Sequence, residues 1–406
     1  MFSLRASTLA STATLLAVVG AACAKPAPPK REAPVPLLGS SSASGTSRED
    51  LTRTIAAMDA RFAARPDDAA AAVMLADALL RQTRVTGNAG LAARAEIALQ
   101  KILARDPEHY HARRMLAAVY LSQHRFRDAI RAAERCLQVR RDDAWPYGVV
   151  GDAHVELGEY DAAFDAFDRM IALRPDAAAY ARASYARELQ GDLTEAIRFM
   201  TMALDATSPK DPESLAWQHA QLGGLYLAAD RVREARREFE HSDFVFPGHP
   251  MSLDGQAQVL AAEGRTEDAL ALVQSRLASA PTPAALALSG DLLAKLGRPA
   301  DADRQYRLAE AAWRSDAPEP ARLAVFLADR GWQVDEAVRI AESAAVDRHD
   351  IFTDDALAWA YFKAGRLADA RAASARALRT GSRDRTLREH ARIIAATGHV
   401  AAGGSR

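Results

Sequence analysis

Small residues recur along this chain at a nearly constant spacing. Alanine occupies nine positions whose successive gaps are 33 to 35 residues, apart from one gap of 39 residues. The nine alanines are Ala95, Ala129, Ala163, Ala196, Ala235, Ala269, Ala302, Ala337 and Ala370. A period of this length is typical of helical hairpins that pack only on their neighbours. The pattern therefore predicts an array of repeated units rather than one globular core.

Residues 144–175 show the pattern within a single unit. Tyr147, Val150 and His154 are spaced i, i+3 and i+7, which predicts the buried face of a first helix. Gly158 is expected to end this helix in the left-handed conformation, which glycine adopts without steric cost. The unit thus begins with an amphipathic helix followed by a tight turn.

The second helix of the unit is predicted to press closely on the first. Ala163 stands at the closest contact, and Gly151 leaves room for it on the first helix. Phe167 fills the space beyond, and Pro175 ends the unit. This order of residues resembles the tetratricopeptide repeat. The resemblance covers about residues 50–398 and implies an all-α fold, a right-handed superhelical solenoid of about nine helix-turn-helix repeats.

Composition and pattern divide the chain into six predicted segments. They are a lipoprotein-type signal peptide (1–22), a Pro/Ser/Gly-rich disordered tether (23–47), an N-terminal helix with the first repeat (48–107), the repeat array (108–382), a C-terminal capping helix (383–398) and a disordered tail (399–406). The first repeat is expected to have a long loop between its helices, over Gln82–Gly90. The single 39-residue gap indicates an extended connection near Pro209.

The N-terminus has the pattern of an export signal. Arg5 is the one charged side chain in residues 1–22, and the stretch Leu9–Val19 is apolar or small but too short to span a bilayer. Its end, Val-Gly-Ala-Ala before Cys23, resembles the lipobox of bacterial lipoproteins. The resemblance implies acylation of Cys23 and, since Ala24 carries no acidic retention signal, the periplasmic face of the outer membrane. Ordinary signal cleavage is the alternative.

Charge and motifs exclude several function classes. The formal net charge is −1, so no strong field favours nucleic acid. The sequence contains no phosphate-binding glycine loop, no Gly-x-Ser-x-Gly, no Cys-x-x-Cys and no His-Glu-x-x-His. His241 and His249 flank the loop 243–247, at a spacing that could bring them to one metal ion, but no recurring ligand accompanies them. We therefore expect no enzyme activity, no cofactor and no metal.

The resemblance also implies where a ligand binds, because the first helix of each repeat lines the concave side in this family. The ligand-groove candidates at these positions are His111, Arg114, Trp145, Asp152, Tyr185, Glu188, Trp217, Gln258, Asp291, Phe326, Trp359 and Phe362. The corresponding positions of all repeats also include Ala118, Leu121, Gly148, Val155, Ala181, Ala220, Gly224, Leu227, Asp254, Ala261, Ala287, Ala294, Arg322, Asp329, Phe352 and Asp355. Lys and Arg do not recur as in the family's carboxylate clamp, so acidic tails are disfavoured.

These features predict a non-catalytic scaffold of the bacterial cell envelope. The scaffold is expected to be lipid-anchored and to hold a protein or an extended peptide in its concave groove, where aromatic side chains anchor the partner. The membrane is contacted through the lipid alone. A carbohydrate-binding or exopolysaccharide-export accessory lipoprotein is the alternative, because tryptophans also stack on sugars.

Overall fold

The computed structural model describes residues 47–279, 281–316 and 319–397, and within these ranges the chain forms twenty α-helices. The first ten are α1 (Arg48–Ala64), α2 (Ala69–Thr86), α3 (Gly90–Arg105), α4 (Tyr110–Ser122), α5 (Phe126–Val139), α6 (Ala144–Leu157), α7 (Tyr160–Leu173), α8 (Ala177–Leu189), α9 (Leu193–Asp205) and α10 (Pro212–Ala228). The others are α11 (Val232–Val245), α12 (Pro250–Ala262), α13 (Thr266–Ser279), α14 (Pro283–Lys295), α15 (Pro299–Asp316), α16 (Pro320–Asp329), α17 (Val334–Ala344), α18 (Ile351–Lys363), α19 (Leu367–Ala377) and α20 (Arg385–Ala396).

The helices from α2 to α19 pair as nine successive antiparallel hairpins in the described part of the chain. Each of the nine periodic alanines lies on the second helix of its hairpin and is at most 2 % exposed. Helix α1 packs on α2, and α20 packs on α18 and α19, so the two ends of the array are covered by single helices. The predicted all-α repeat solenoid is confirmed.

The third hairpin, α6 with α7, shows why small residues are needed at the contact. A β-carbon added at Gly151 would overlap the ring of Phe167 and approach the Ala163 carbonyl to 3.1 Å. Gly158 has a φ of +76° and ends α6, as the sequence predicts. Close packing between the two helices of a repeat therefore depends on the absence of a side chain at Gly151.

The prediction of a long loop over Gln82–Gly90 is wrong. Helix α2 continues to Thr86, and the connection to α3 is only residues 87–89. The extra turns remain helical because Val85 is apolar and 2 % exposed, packed in a cluster with Leu51 and Phe246. The 39-residue gap between Ala196 and Ala235 contains the six-residue connection 206–211 and the 17-residue helix α10. These two features together lengthen this repeat.

The solenoid also brings distant hairpins into contact. At the N-terminal end, the Arg48 guanidinium of α1 donates to the carbonyl of Gly248 at 2.9 Å. Helix α1 covers the first hairpin, whereas Gly248 directly follows the fifth. Arg81 of α2 lies 3.3 Å from the Glu213 carboxylate of α10. Leu51 packs beside Phe246 in the same zone. These contacts join the first repeat to the fifth and to the connection that follows it.

A second zone joins the third and fourth hairpins to the C-terminal repeats. The Arg348 guanidinium lies 2.7 Å from the Glu156 carboxylate, and the amide of Ile351 donates to the Tyr160 hydroxyl at 2.8 Å. Leu387 of α20 is buried in the same apolar cluster as Tyr160. The region around the turn between α6 and α7 thus lies against the connection before α18 and the start of α18, six hairpins further along the chain. None of the helices in the described ranges is long and apolar enough to cross a membrane.

Candidate ligand-binding cavity

A cavity of about 530 Å³ lies where the third and fourth hairpins face the C-terminal repeats. Its walls come from α6, α7 and α8 on one side and from helices between α14 and α20 on the other. Apolar lining is contributed by Val155, Tyr185, Phe326 and Phe352. The charged residues in the lining are Glu156, Asp291, Glu319, Asp329, Asp350, Asp355, Asp384, Arg322, Arg330 and Arg348. Carboxylates therefore outnumber guanidinium groups by seven to three in the described lining.

The three arginines of the lining are engaged by carboxylates of the protein. Arg348 lies 2.7 Å from Glu156 and 3.3 Å from Asp350. Arg330 lies 3.0 Å from Asp291, and its guanidinium stacks over the Phe326 ring at 3.9 Å from the centroid. These pairs fix the positions of the guanidinium groups and leave the surplus of acidic groups uncompensated by arginine.

The remaining carboxylates of the lining accept hydrogen bonds from the fold itself. Asp329 accepts from the Trp359 indole at 2.6 Å, and Asp355 lies 2.8 Å from Nδ1 of His390. Asp384 caps the N-terminus of α20. The indole of Trp359 and the backbone amide that Asp384 caps carry no positive charge, so these hydrogen bonds position the two carboxylates without cancelling their charge.

Burial shifts the titration of the acids in and beside the cavity. Burial raises the pKa of Asp355 in spite of its hydrogen bond from His390, and it also raises the pKa of Glu156 against the effect of Arg348. Glu188 lies one turn beyond Tyr185 on α8, and burial together with the charge of Asp384 raises the pKa of Glu188 to about 7. A cationic ligand would relieve this penalty, because it stabilises the ionised form of each acid.

The structure brings three of the predicted groove residues together at this cavity. Tyr185 comes from α8, Asp291 from α14 and Phe326 from α16. Asp291 also accepts a hydrogen bond from the Tyr306 hydroxyl at 2.8 Å. Six further positions predicted to face the concave side lie in the same lining, and they are Val155, Ala287, Arg322, Asp329, Phe352 and Asp355. The other predicted concave positions, such as Gly148, Gly224 and Asp254, do not line this cavity.

Three predicted groove residues, Arg114, Trp145 and Asp152, form contacts between adjacent repeats, and a fourth, His111, contacts its neighbour on α4. The Arg114 guanidinium lies 4.3 Å from the Trp145 ring centroid and 3.1 Å from Asp143. Asp152 of α6 accepts from Arg182 of α8 at 2.6 Å. The ring of His111 lies edge-on to that of Tyr110, with the centroids 5.5 Å apart. These side chains lie outside the cavity lining, and their role in binding stays a prediction.

The other candidates are dispersed along the solenoid. Trp217 packs against the cluster between α9 and α10, and Gln258 is exposed on α12. Trp359 is 6 % exposed and stacks on His390 with the ring centroids 3.9 Å apart, and Phe362 stacks against Trp359 at 5.2 Å. The structure does not bring this group to one place. Cys23, the signal peptide and the disordered tail lie outside the described residues.

Sequence reasoning missed several residues that hold the lining together, either within one wall, as Arg330 does with Asp291, or between the two walls, as Arg348 does with Glu156. Arg330 follows α16, and Arg348 and Asp350 lie in the connection between α17 and α18. The repeat pattern marks periodic positions on first helices, and these residues fall outside that pattern. Tyr160 begins a second helix and was missed for the same reason.

The fold and the cavity define an all-α protein built from repeated helical hairpins. The profile of the tetratricopeptide repeat family matches residues 151–212, from α6 to the start of α10. Residues 151–212 therefore match the tetratricopeptide repeat, and the hairpins on either side of them have the same helical-hairpin architecture.

Solved structures resemble this chain in fold. The crystal structure of the anaphase-promoting complex hetero-tetramer Cut9–Hcn1 contains a chain with 14% identity and a TM-score of 0.52, covering 85% of this chain. This chain spans 59% of that chain's length. A human IFIT1 dimer with PPP-AAAA has 15% identity and a TM-score of 0.54, with 82% of this chain and 78% of that chain covered. No curated protein sequence matched. At these identities the likeness concerns the fold alone.

Proposed function

We propose that this protein is a non-catalytic scaffold of the bacterial cell envelope that holds an extended segment of a partner protein in the cavity. The observation that carries the proposal is the surplus of carboxylates among aromatic side chains of the described lining. Tetratricopeptide repeats are interaction modules in general, which supports a binding role over a chemical one. The partner segment is proposed to be basic, with apolar side chains beside its Lys or Arg residues.

The chemistry of the lining supports a basic segment. Buried acids with raised pKa values gain interaction energy from an entering cation, whereas an acidic segment adds like charge and is rejected. Phe352 is 44 % exposed and lies in the lining, so it offers an unfilled apolar contact. Aromatic anchors of this kind carry much of the energy at protein interfaces.

Binding is tested with peptides that differ only in charge. A set of extended peptides with Lys at alternating positions, and the same peptides with Glu there, are titrated against the full chain by fluorescence anisotropy. We expect the Lys peptides to bind and the Glu peptides not to bind. Phe352→Ala and Glu319→Lys should weaken binding by about tenfold or more, about the loss expected for one hot-spot side chain.

Phe244→Ala serves as the control, because Phe244 is 84 % exposed on α11 and does not line the cavity. Equal binding of both peptide sets, or binding that survives both cavity variants, contradicts the proposal. Binding of neutral oligosaccharides in place of either peptide would favour the carbohydrate-binding alternative.

The location in the envelope is a separate part of the proposal and rests on the N-terminal sequence. We propose that Cys23 is acylated and that residues 24–47 tether the solenoid to the periplasmic face of the outer membrane. Cys23→Ala should move the protein from the membrane fraction to the soluble periplasmic fraction, while Cys136→Ala should leave it in the membrane. Retention of the Cys23 variant in the membrane would rule out the lipid anchor.

A further inference from the structure

Three side chains with metal-ligating atoms meet on the fifth hairpin, away from the cavity. They are His219 of α10 and Glu238 and His241 of α11. Nδ1 of His219 lies 2.8 Å from Oε2 of Glu238, and the two imidazole ring centroids are 5.4 Å apart. One ligand atom from each of the three side chains falls within 4.8 Å of the others. In the described residues no other group of three such side chains is this compact.

The helices hold these side chains in place. Glu238 and His241 are three residues apart on α11, so they share one face of that helix. The Ser242 hydroxyl donates to the carbonyl of Ala216 at 2.7 Å across the hairpin, and both residues are fully buried. His219 is thereby held opposite Glu238 by a closely packed pair of helices. A site built on rigid helices is more precise than one on loops.

We propose that His219, Glu238 and His241 bind a divalent transition-metal ion, with zinc as the preferred occupant. Two imidazole nitrogens and one carboxylate oxygen form a ligand set that suits zinc and disfavours magnesium or calcium. Bonds of about 2.0 Å in tetrahedral geometry place ligand atoms roughly 3.3 Å apart, so the His219–Glu238 contact must open by about 0.5 Å and the wider separations, which reach at most 4.8 Å, must close. Small side-chain rotations achieve this, and the fourth position is left to water or to a partner's side chain.

His249, which the sequence places near His241, does not take part in the site. His249 is 1 % exposed and lies against Phe246, with ring centroids 5.9 Å apart. It is not part of the group of three. The proposed site therefore depends on His219, which is 22 residues before His241 in the sequence and comes beside it through the turn of the hairpin.

The chain supplies a matched control for a simple His–Glu pair. Nδ1 of His154 lies 2.5 Å from Oε2 of Glu159, and the two side chains are 19% and 41% exposed. The His219–Glu238 pair has a similar contact, with exposures of 19% and 18%. The difference between the two places is the third ligand, which His241 provides at the proposed site.

The test is a metal titration of the full chain in detergent after treatment with a chelator. Co²⁺ binding is followed by visible absorption, which reports tetrahedral coordination, and Zn²⁺ binding by calorimetry. We expect one ion per chain. His219→Ala, Glu238→Gln and His241→Ala should each weaken Zn²⁺ binding by at least about tenfold, since loss of even an outer-shell partner of a ligand costs that much. His154→Ala should bind as the wild type does.

The His241 variant keeps the test informative if the others fold poorly, because His241 is exposed and its loss leaves the packing of the hairpin intact. Far-ultraviolet circular dichroism of the metal-free variants checks the fold. Zinc should also raise the melting temperature of the wild type and not that of the His241 variant. Absence of Zn²⁺ binding by the wild type, or binding that none of the three substitutions weakens, overturns the proposal.

Discussion

Glu213 offers a direct test of the contact between the first and fifth repeats. Its side chain is fully buried on α10, and its carboxylate accepts from Nε and Nη2 of Arg84 at 2.9 and 2.7 Å. Arg81 donates to the same carboxylate at 3.3 Å. We consider Glu213→Gln, which keeps the volume of the side chain and removes its charge.

The free-energy cost of this substitution depends on the two arginine charges that remain without their carboxylate partner. Removing one partner of a buried ion pair costs about 3–5 kcal/mol, because the remaining charge loses its compensation. Arg84 is 46% exposed at its side chain and regains water, whereas Arg81 is 10% exposed and keeps Asp211 at 3.2 Å. We therefore expect the lower end, about 3 kcal/mol, which is on the order of a hundredfold in the equilibrium for opening this contact.

The pH dependence has a definite sign. Burial by itself would raise the pKa of Glu213, but Arg84 and Arg81 outweigh it and hold the pKa below its ordinary value of 4.5. The folded state then binds this proton less readily than the unfolded state. The stability that the carboxylate contributes is present above pH 4.5 and is lost as the pH falls through the lower, folded value.

Amide hydrogen exchange measured by mass spectrometry resolves the effect by segment. In Glu213→Gln we expect faster exchange in α1, α2 and α10 and little change in α18 to α20, because repeat arrays open locally. Glu195→Gln is the control, since Glu195 makes a bidentate pair with Arg198 on the surface of α9. Unchanged protection of α1 and α2 at pH 7 in the Glu213 variant would refute the reasoning.

Two further predictions concern helix packing and titration. Gly151→Ala should destabilise the protein by about 1–3 kcal/mol in urea unfolding, because the new methyl group overlaps Phe167. Gly224→Ala should instead stabilise it by about 0.5–1 kcal/mol, since nothing lies within 4 Å of the new atom, and equal effects of the two would contradict the packing argument. The folded pKa of Glu188, about 7, lies above its ordinary 4.5, so wild-type stability should fall as the pH rises through this range. Glu188→Gln should flatten this slope in urea midpoints measured across that range, and identical slopes would contradict it.

The hairpins themselves were predictable from local spacing. Ala163 and the other periodic alanines are buried at the contact of the two helices, and Gly158 has the left-handed conformation expected of it. Each of these requirements acts within one repeat, so the same residue type recurs at a constant spacing in the sequence. The helix that runs on to Thr86 was not predictable in this way, because Val85 is buried by Leu51 and Phe246 and the second of these lies in a different repeat.

The cavity was predictable only in part. The concave positions Tyr185, Asp291 and Phe326 follow from the register of the repeat, and the structure places all three in one lining. Trp359 has the same register, yet it is covered by His390 of the last helix. Register predicts which way a side chain faces within its own hairpin, and it carries no information about what a later helix places on top of it.

The sequence by itself determined the repeating unit, the number of hairpins and the face that each helix presents. These properties depend on residues within about one repeat of each other, where glycine, alanine and aromatic positions specify helix ends and close contacts. Only the tertiary structure decided which hairpins meet across the solenoid. Small rotations between neighbouring repeats add up along the array. Arg348 and Glu156 are 192 residues apart, so the sequence of no single repeat specifies their contact. The accumulated rotation brings distant repeats together so that they enclose the cavity, and it places their carboxylates in the lining of that cavity.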